Sequence, residues 1–98
     1  MKSQEAIKGI KVCNEWGVEN QFVISVNGVG TFFQSYSSII AAKTPEGIIL
    51  DAETWDYSVT TGKYRNLFLG EKKSETERKI KAGIYKLENL NQQKETAE

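Results

Sequence analysis

The residues of this chain best suited to chemistry lie in one run, Trp55-Asp56-Tyr57-Ser58-Val59-Thr60-Thr61-Gly62-Lys63-Tyr64-Arg65. The run joins the hydroxyls of Ser58, Thr60 and Thr61, the cations Lys63 and Arg65, and the aromatics Trp55, Tyr57 and Tyr64. If Ser58 opens a helix, the free amides of the first turn carry a partial positive charge. The hydroxyls could then donate, Lys63 and Arg65 could neutralise an anion, and Trp55 or Tyr57 could stack on a base. Those are the parts of a phosphate or nucleotide site. A plainer account spends the same residues on the fold: Ser58 caps the helix, Trp55 and Tyr64 fill the core, and Lys63 and Arg65 are solvated.

A second candidate surface surrounds Phe32, Phe33 and Tyr36. Neighbouring residues of a strand point to opposite faces. One phenylalanine can therefore fill the core while the other meets a helix, a second subunit or a partner. Phe33 and Tyr36 join the candidate binding residues on this ground, and an uncovered face would make a homodimer or partner interface.

Enzyme chemistry finds few resources. The chain has no His and one Cys, which excludes a histidine triad, a histidine general base, a histidine-containing zinc finger and an internal disulfide. Cys13 reads as a small core or edge residue. Asp51, Glu53 and Asp56 are close enough in sequence for a metal or general-base site. They lack a second kind of ligand and a calcium-loop spacing, so turn and cap roles are expected. No serine has the Ser-x-x-Lys spacing that could replace a histidine base. Gly28 and Gly30 form Gly-x-Gly without a third glycine opening a helix, and read as turn residues. The expectation is a non-enzyme with no metal and no cofactor.

The elements that must hold these residues are legible in part. Ile10 to Val12 is a weak first strand, and Asn14 to Gly17 a turn. Phe22, Ile24 and Val26 alternate as in a strand over Gln21 to Val26. Asn27-Gly28 predicts a type I′ turn into a strand over Val29 to Gln34. A second hairpin joins Ser38–Lys43 to Ile48–Leu50 through Thr44-Pro45-Glu46-Gly47, in preference to a short helix from Ser37 to Ala42. The period then changes. Ser58, or Thr60 or Thr61, caps a helix carrying Tyr64, Leu67 and Phe68 on one face, and Gly70 ends it. Ser74-Glu75-Thr76-Glu77 reads as a capping box for a second helix, with Glu75–Lys79 and Glu77–Lys81 pairs and Gly83 as its stop. Ile84, Tyr85 and Leu87 read as a closing strand. The fold class is α+β: an antiparallel sheet of about four to six strands with two short helices in the C-terminal half packed on one face.

Length and charge bound the rest. A chain of 98 residues holds one domain, placed over residues 7–90, with residues 1–6 and 91–98 as flexible tails. Lys plus Arg equal Asp plus Glu at 13 each, which excludes a generally basic nucleic-acid binder and an acidic DNA mimic. No apolar run approaches the ~20 residues needed to span a bilayer, and the first residues lack a signal-peptide core. No membrane partner is expected.

The segments Phe33-Gln34-Ser35-Tyr36-Ser37-Ser38-Ile39-Ile40-Ala41, Leu50-Asp51, Trp55 to Arg65 and Phe68-Leu69-Gly70 resemble a family of small uncharacterised proteins of phages, prophages and plasmids. Its recurrent features are a Phe-Gln-Ser-Tyr segment and an Asp-Tyr-Ser-x-Thr-Thr-x-Lys-Tyr segment. The resemblance covers about residues 7–90 and transfers no catalytic role. It implies an accessory gene of a mobile element, acting in the host cytoplasm by binding. The expected role is a counter-defence inhibitor of a host protein system, anti-CRISPR-like. The alternatives are a sponge that sequesters a nucleotide immune signal through Tyr57 to Arg65, and a minor structural or DNA-associated phage protein.

Overall fold

Alternating apolar residues and well-placed turn residues build a six-stranded sheet. The computed structural model describes residues 9–91. Strands β1 (Ile10–Cys13), β2 (Gln21–Val26), β3 (Gly30–Ser35), β4 (Ser38–Thr44) and β5 (Gly47–Asp51) are antiparallel neighbours in chain order. Helices α1 (Val59–Leu69) and α2 (Lys73–Lys81) follow, and β6 (Lys86–Glu88) completes the sheet beside β5. The class is the α+β expected. The sheet differs from expectation in one strand: β6 is parallel to β5, pairing Lys86 with Ile49 and Leu87 with Leu50. The chain crosses over through both helices before rejoining the sheet, and a crossover returns a strand in the same direction.

One sheet face is covered. Phe33, Ile40, Ala41 and Leu50 meet Phe68 of α1 and Tyr85 in the buried core, with Ile80 of α2 packed against them. Trp16, from the loop before β2, and Trp55, from the loop after β5, close the sides of this layer. Phe33 therefore belongs to the core, fully buried, stacked on Phe68 at 5.8 Å and edge-on to Trp16 at 5.6 Å. Phe32 points to the opposite face, as strand alternation requires.

The β2–β3 connection corrects the turn type. Val29 N–H donates to Val26 C=O at 3.0 Å, and only Gly28 of the two central residues has a positive φ, at 78°. Those signs belong to a type II turn, which needs glycine at its second central position; type I′ needs positive φ at both. The strand accordingly starts at Gly30 rather than Val29. Gly30 answers a different constraint: a Cβ there would stand 2.3 Å from the Lys43 carbonyl oxygen of β4. Between Phe33 and Gln34 the β3–β4 register shifts through a bulge, beside the buried Ile40.

Helix α1 follows its local signals. Ser58 Oγ accepts from Thr61 N–H at 3.1 Å, and Gly70 closes the helix in the left-handed conformation at φ 74°. Its buried residues are Thr61, Gly62, Arg65 and Phe68, so Leu67, expected on that face, is exposed. Helix α2 starts earlier than expected. Its cap is Lys72, whose N–H donates to Glu75 Oε1 at 3.1 Å; Ser74 lies inside the helix. Lys79, expected to pair with Glu75, instead reaches Glu71 Oε1 at 2.7 Å. Glu71 also accepts from Thr76 Oγ1 at 2.6 Å and Tyr85 O–H at 2.9 Å. This carboxylate holds both ends of α2.

Asp51 plays the same part at the end of β5. It accepts from Thr54 N–H, Thr54 O–H, Glu53 N–H and Leu90 N–H at 2.7–3.1 Å. It is thus a loop staple, as a turn carboxylate should be. Asn91, placed in a tail by the sequence, exchanges two hydrogen bonds with the Ile39 backbone, at 2.7 and 2.8 Å. The remaining tail residues lie outside those described. Among the described residues, no helix is long and apolar enough to cross a membrane.

Candidate functional site

The 55–65 run folds into a loop and the first two turns of α1. A cleft of about 520 Å³ opens there, lined by Asp56, Ser58, Val59, Lys63, Arg65 and Lys73 among others. The cleft joins the sequence-nominated residues to α2, through Lys73.

Arg65 is the main departure from expectation. Neither solvated nor free to meet an anion, it is 1% exposed. Its Nη1 donates to Trp55 C=O at 2.8 Å and to Asp56 Oδ1 at 3.0 Å; its Nη2 donates to Asn66 Oδ1 at 2.9 Å. The guanidinium lies 5.1 Å from the centre of the Trp55 ring. Its Nε has no hydrogen-bond partner among the described residues, and the three bonds above use three of the five guanidinium N–H groups. Nothing in sequence spacing marks Arg65 as buried. The usable hint is Asp56, an acid in the loop that leads directly into its helix.

Asp56 also receives Lys73 Nζ at 2.7 Å on its other oxygen. Burial works to raise the Asp56 pKa, but the hydrogen bonds and charges of Lys73 and Arg65 outweigh it and hold the carboxyl below its ordinary value. The hydrogen bond and charge of Asp56 push Lys73 upward in turn. Two cations therefore share one carboxylate at the back of the cleft.

The hydroxyls divide. Thr61 is buried, its Oγ1 2.9 Å from Ser35 Oγ at the end of β3. Ser58 is committed to the cap through Thr61 N–H, while Thr60 is exposed. Tyr64 is half-buried against Trp16 at 5.4 Å, and the Lys63 ammonium sits 5.4 Å from the Tyr64 ring centre. Trp55 is half-buried beneath Arg65. Tyr57 is 48% exposed and Val59, the first residue of α1, is 90% exposed.

Tyr36 joins this end of the molecule through the Ser35–Thr61 bond. It stands at the first central position of the two-residue β3–β4 turn, with φ 57°. A positive φ there is a glycine position; in a bulky residue it costs about 1–2 kcal/mol. The backbone is fixed from both sides: Tyr36 N–H donates to Asn20 C=O at 2.6 Å, and Gln34 Nε2 donates to Tyr36 C=O at 2.7 Å. The ring itself is 50% exposed. Tyr57, Val59 and Lys63 form the outer rim of the cleft, with Asp56 and Arg65 in its lining. Thr60 is exposed in the same turn of α1, and the β3–β4 turn that carries Tyr36 is tied to this helix through the Ser35–Thr61 bond. Phe33 and Tyr64 lie deeper, in the packing.

Residues 5–83 match the model of a family described as of unknown function (DUF8033). No curated protein and no solved structure matches the chain.

Proposed function

The chain belongs to that family of unknown function, and from its own chemistry we propose that it acts by binding a partner protein rather than by converting a substrate. The observation that carries this reading is Tyr36. A strained backbone keeps a large aromatic side chain half in solvent, where glycine would be less costly. Tyr57 and the nearly bare Val59 line the cleft at the start of α1, the helix to which Ser35, the neighbour of Tyr36, is bonded. Exposed aromatics on a rigid base are the usual anchors of protein interfaces, because they bury much area for little lost rotamer freedom.

The charges beneath the rim support a protein over a nucleotide. Arg65 and Lys73 are both spent on Asp56, and Arg65 presents no exposed guanidinium. An anion entering the cleft would meet the Asp56 carboxylate, with Lys63 as the cation left to it. The biological role follows from the resemblance of the Phe33–Ala41 and Trp55–Arg65 segments to mobile-element proteins. It is a phage or plasmid accessory function that disables a host defence protein by occupying it.

The test is affinity capture from host lysate with the wild-type chain, Tyr57→Ala and Val59→Asp. One defence-system protein should be retained by the wild type and lost by both variants, with melting temperatures unchanged. A parallel thermal-melt series with nucleotides should show no stabilisation. Capture indifferent to both substitutions, or a nucleotide that stabilises the fold, would overturn this reading.

A further inference from the structure

We propose that the sheet face opposite the helices is the contact of a two-fold homodimer of this chain. The register places Val12, Ile24, Phe32, Ala42 and Ile49 side by side across five strands. All point away from α1 and α2, because their alternating neighbours Val23, Phe33, Ala41 and Leu50 face the core. The row is wholly apolar until it reaches Lys86 of β6. Both helices and the loops carrying Trp16 and Trp55 pack on the other side; in this row Val12 is exposed, Ile24, Phe32 and Ile49 are half-buried and Ala42 is buried. A sheet with an apolar second face buries it against another layer.

Three observations select a second copy as that layer. The first is composition. The central row carries no hydrogen-bonding side chain, and homodimer interfaces are more apolar than those between transient partners. The second is charge. The chain has a net charge of zero, so two copies meet without net repulsion. Lys86 and Glu88 bring one charge of each sign to the β6 rim of this face, so each copy offers the other an opposite charge. The third is area. Four inter-strand steps of about 4.8 Å and strands of about 17 Å give, with side-chain margins, a footprint on the order of 400–500 Å² per copy. Two such faces hide on the order of 800–1,000 Å², the size of a weak, reversible contact rather than a permanent one.

This row contains none of Tyr36, Tyr57 and Val59, so the two proposals fail separately. Sedimentation of the full chain from about 1 to about 300 µM covers the concentrations at which a weak, reversible contact of this size assembles. The mass should rise from 11.0 kDa towards twice that value. Ile24→Lys and Phe32→Gln should hold it at the monomer mass with an unchanged circular dichroism spectrum, while Tyr57→Ala should dimerise normally. Hydroxyl-radical footprinting of the wild type removes any dependence on variant folding: oxidation of Ile24 and Phe32 should fall as concentration rises. A monomer at every concentration overturns the proposal, as does a dimer whose Ile24 and Phe32 stay equally reactive. A monomer in which both are already protected assigns the face to the chain's own termini, and overturns it too.

Discussion

Tyr36 and Arg65 are the two residues whose environment least resembles their type. Tyr36 takes a glycine conformation and remains exposed; Arg65 is charged and buried. The Tyr36 geometry makes a direct prediction. Tyr36→Gly should stabilise the fold by about 1 kcal/mol, since it relieves the left-handed strain, less whatever glycine adds to unfolded-chain entropy. The same change should weaken partner capture. A fall in the denaturation midpoint would show that the ring supports the fold, and would remove the argument for it as an anchor. Neither feature was legible in the sequence. No local signal marks the turn at Tyr36, because its determinants are the Asn20 carbonyl and the Gln34 amide. Arg65 reads as solvated because the acid, the carbonyl and the indole that receive it converge only once the 52–58 loop is folded.

Elements governed by neighbouring residues were readable, and those governed by distant ones were not. Strand β2 and the limits of α1 follow from alternation, Ser58 and Gly70, all local signals. The start of α2 differs because Lys72, a residue without a capping oxygen, stands at the cap and its own N–H donates to Glu75, while Glu71 just before it is drawn to Lys79 and Tyr85. The direction of β6 escaped because it depends on the path of both helices. The Ser58 cap is tested in the same terms. Ser58→Ala should cost about 0.5–2 kcal/mol, because the Thr61 amide loses its acceptor. Thermal denaturation measures it. A loss well below that range would mean that water or a neighbouring group satisfies the amide. Since Thr61 also holds Ser35, loosening this turn should increase hydrogen exchange at the β3–β4 tip.

For the molecule as a whole, three carboxylates fasten the connecting segments: Asp51 holds the 53–54 turn and Leu90 to the end of β5, Asp56 joins α1 to α2, and Glu71 joins α2 to Tyr85. Burial tends to raise Asp51, Asp56 and Glu71, but their hydrogen bonds and paired cations outweigh it and leave all three below their ordinary values of 3.8 and 4.5. A carboxyl whose folded pKa is depressed contributes stability above its unfolded pKa and loses it as pH falls through the folded value. Stability should therefore be level from pH 7 to about 5 and decline below about 4.5. The alkaline side has the opposite sign. Tyr85 is raised by burial and by Glu71, and Lys79 by its bond to Glu71. Their contribution holds below the ordinary values of 10.0 and 10.5 and is lost as pH rises past them. Urea midpoints measured from pH 3 to 11 test both limbs. A steady decline already between pH 7 and 5 would assign the sensitivity to other groups.

The crowding at Gly30 bears on how this chain can diverge. With the Lys43 carbonyl oxygen only 2.3 Å from where a first side-chain carbon would sit, every other amino acid collides with main chain that cannot swing aside. Gly28, two positions earlier, opens on empty space and can give way to asparagine. Across distant descendants of this gene, position 28 should drift while position 30 stays invariant, a record that purifying selection writes without any reference to what the protein binds.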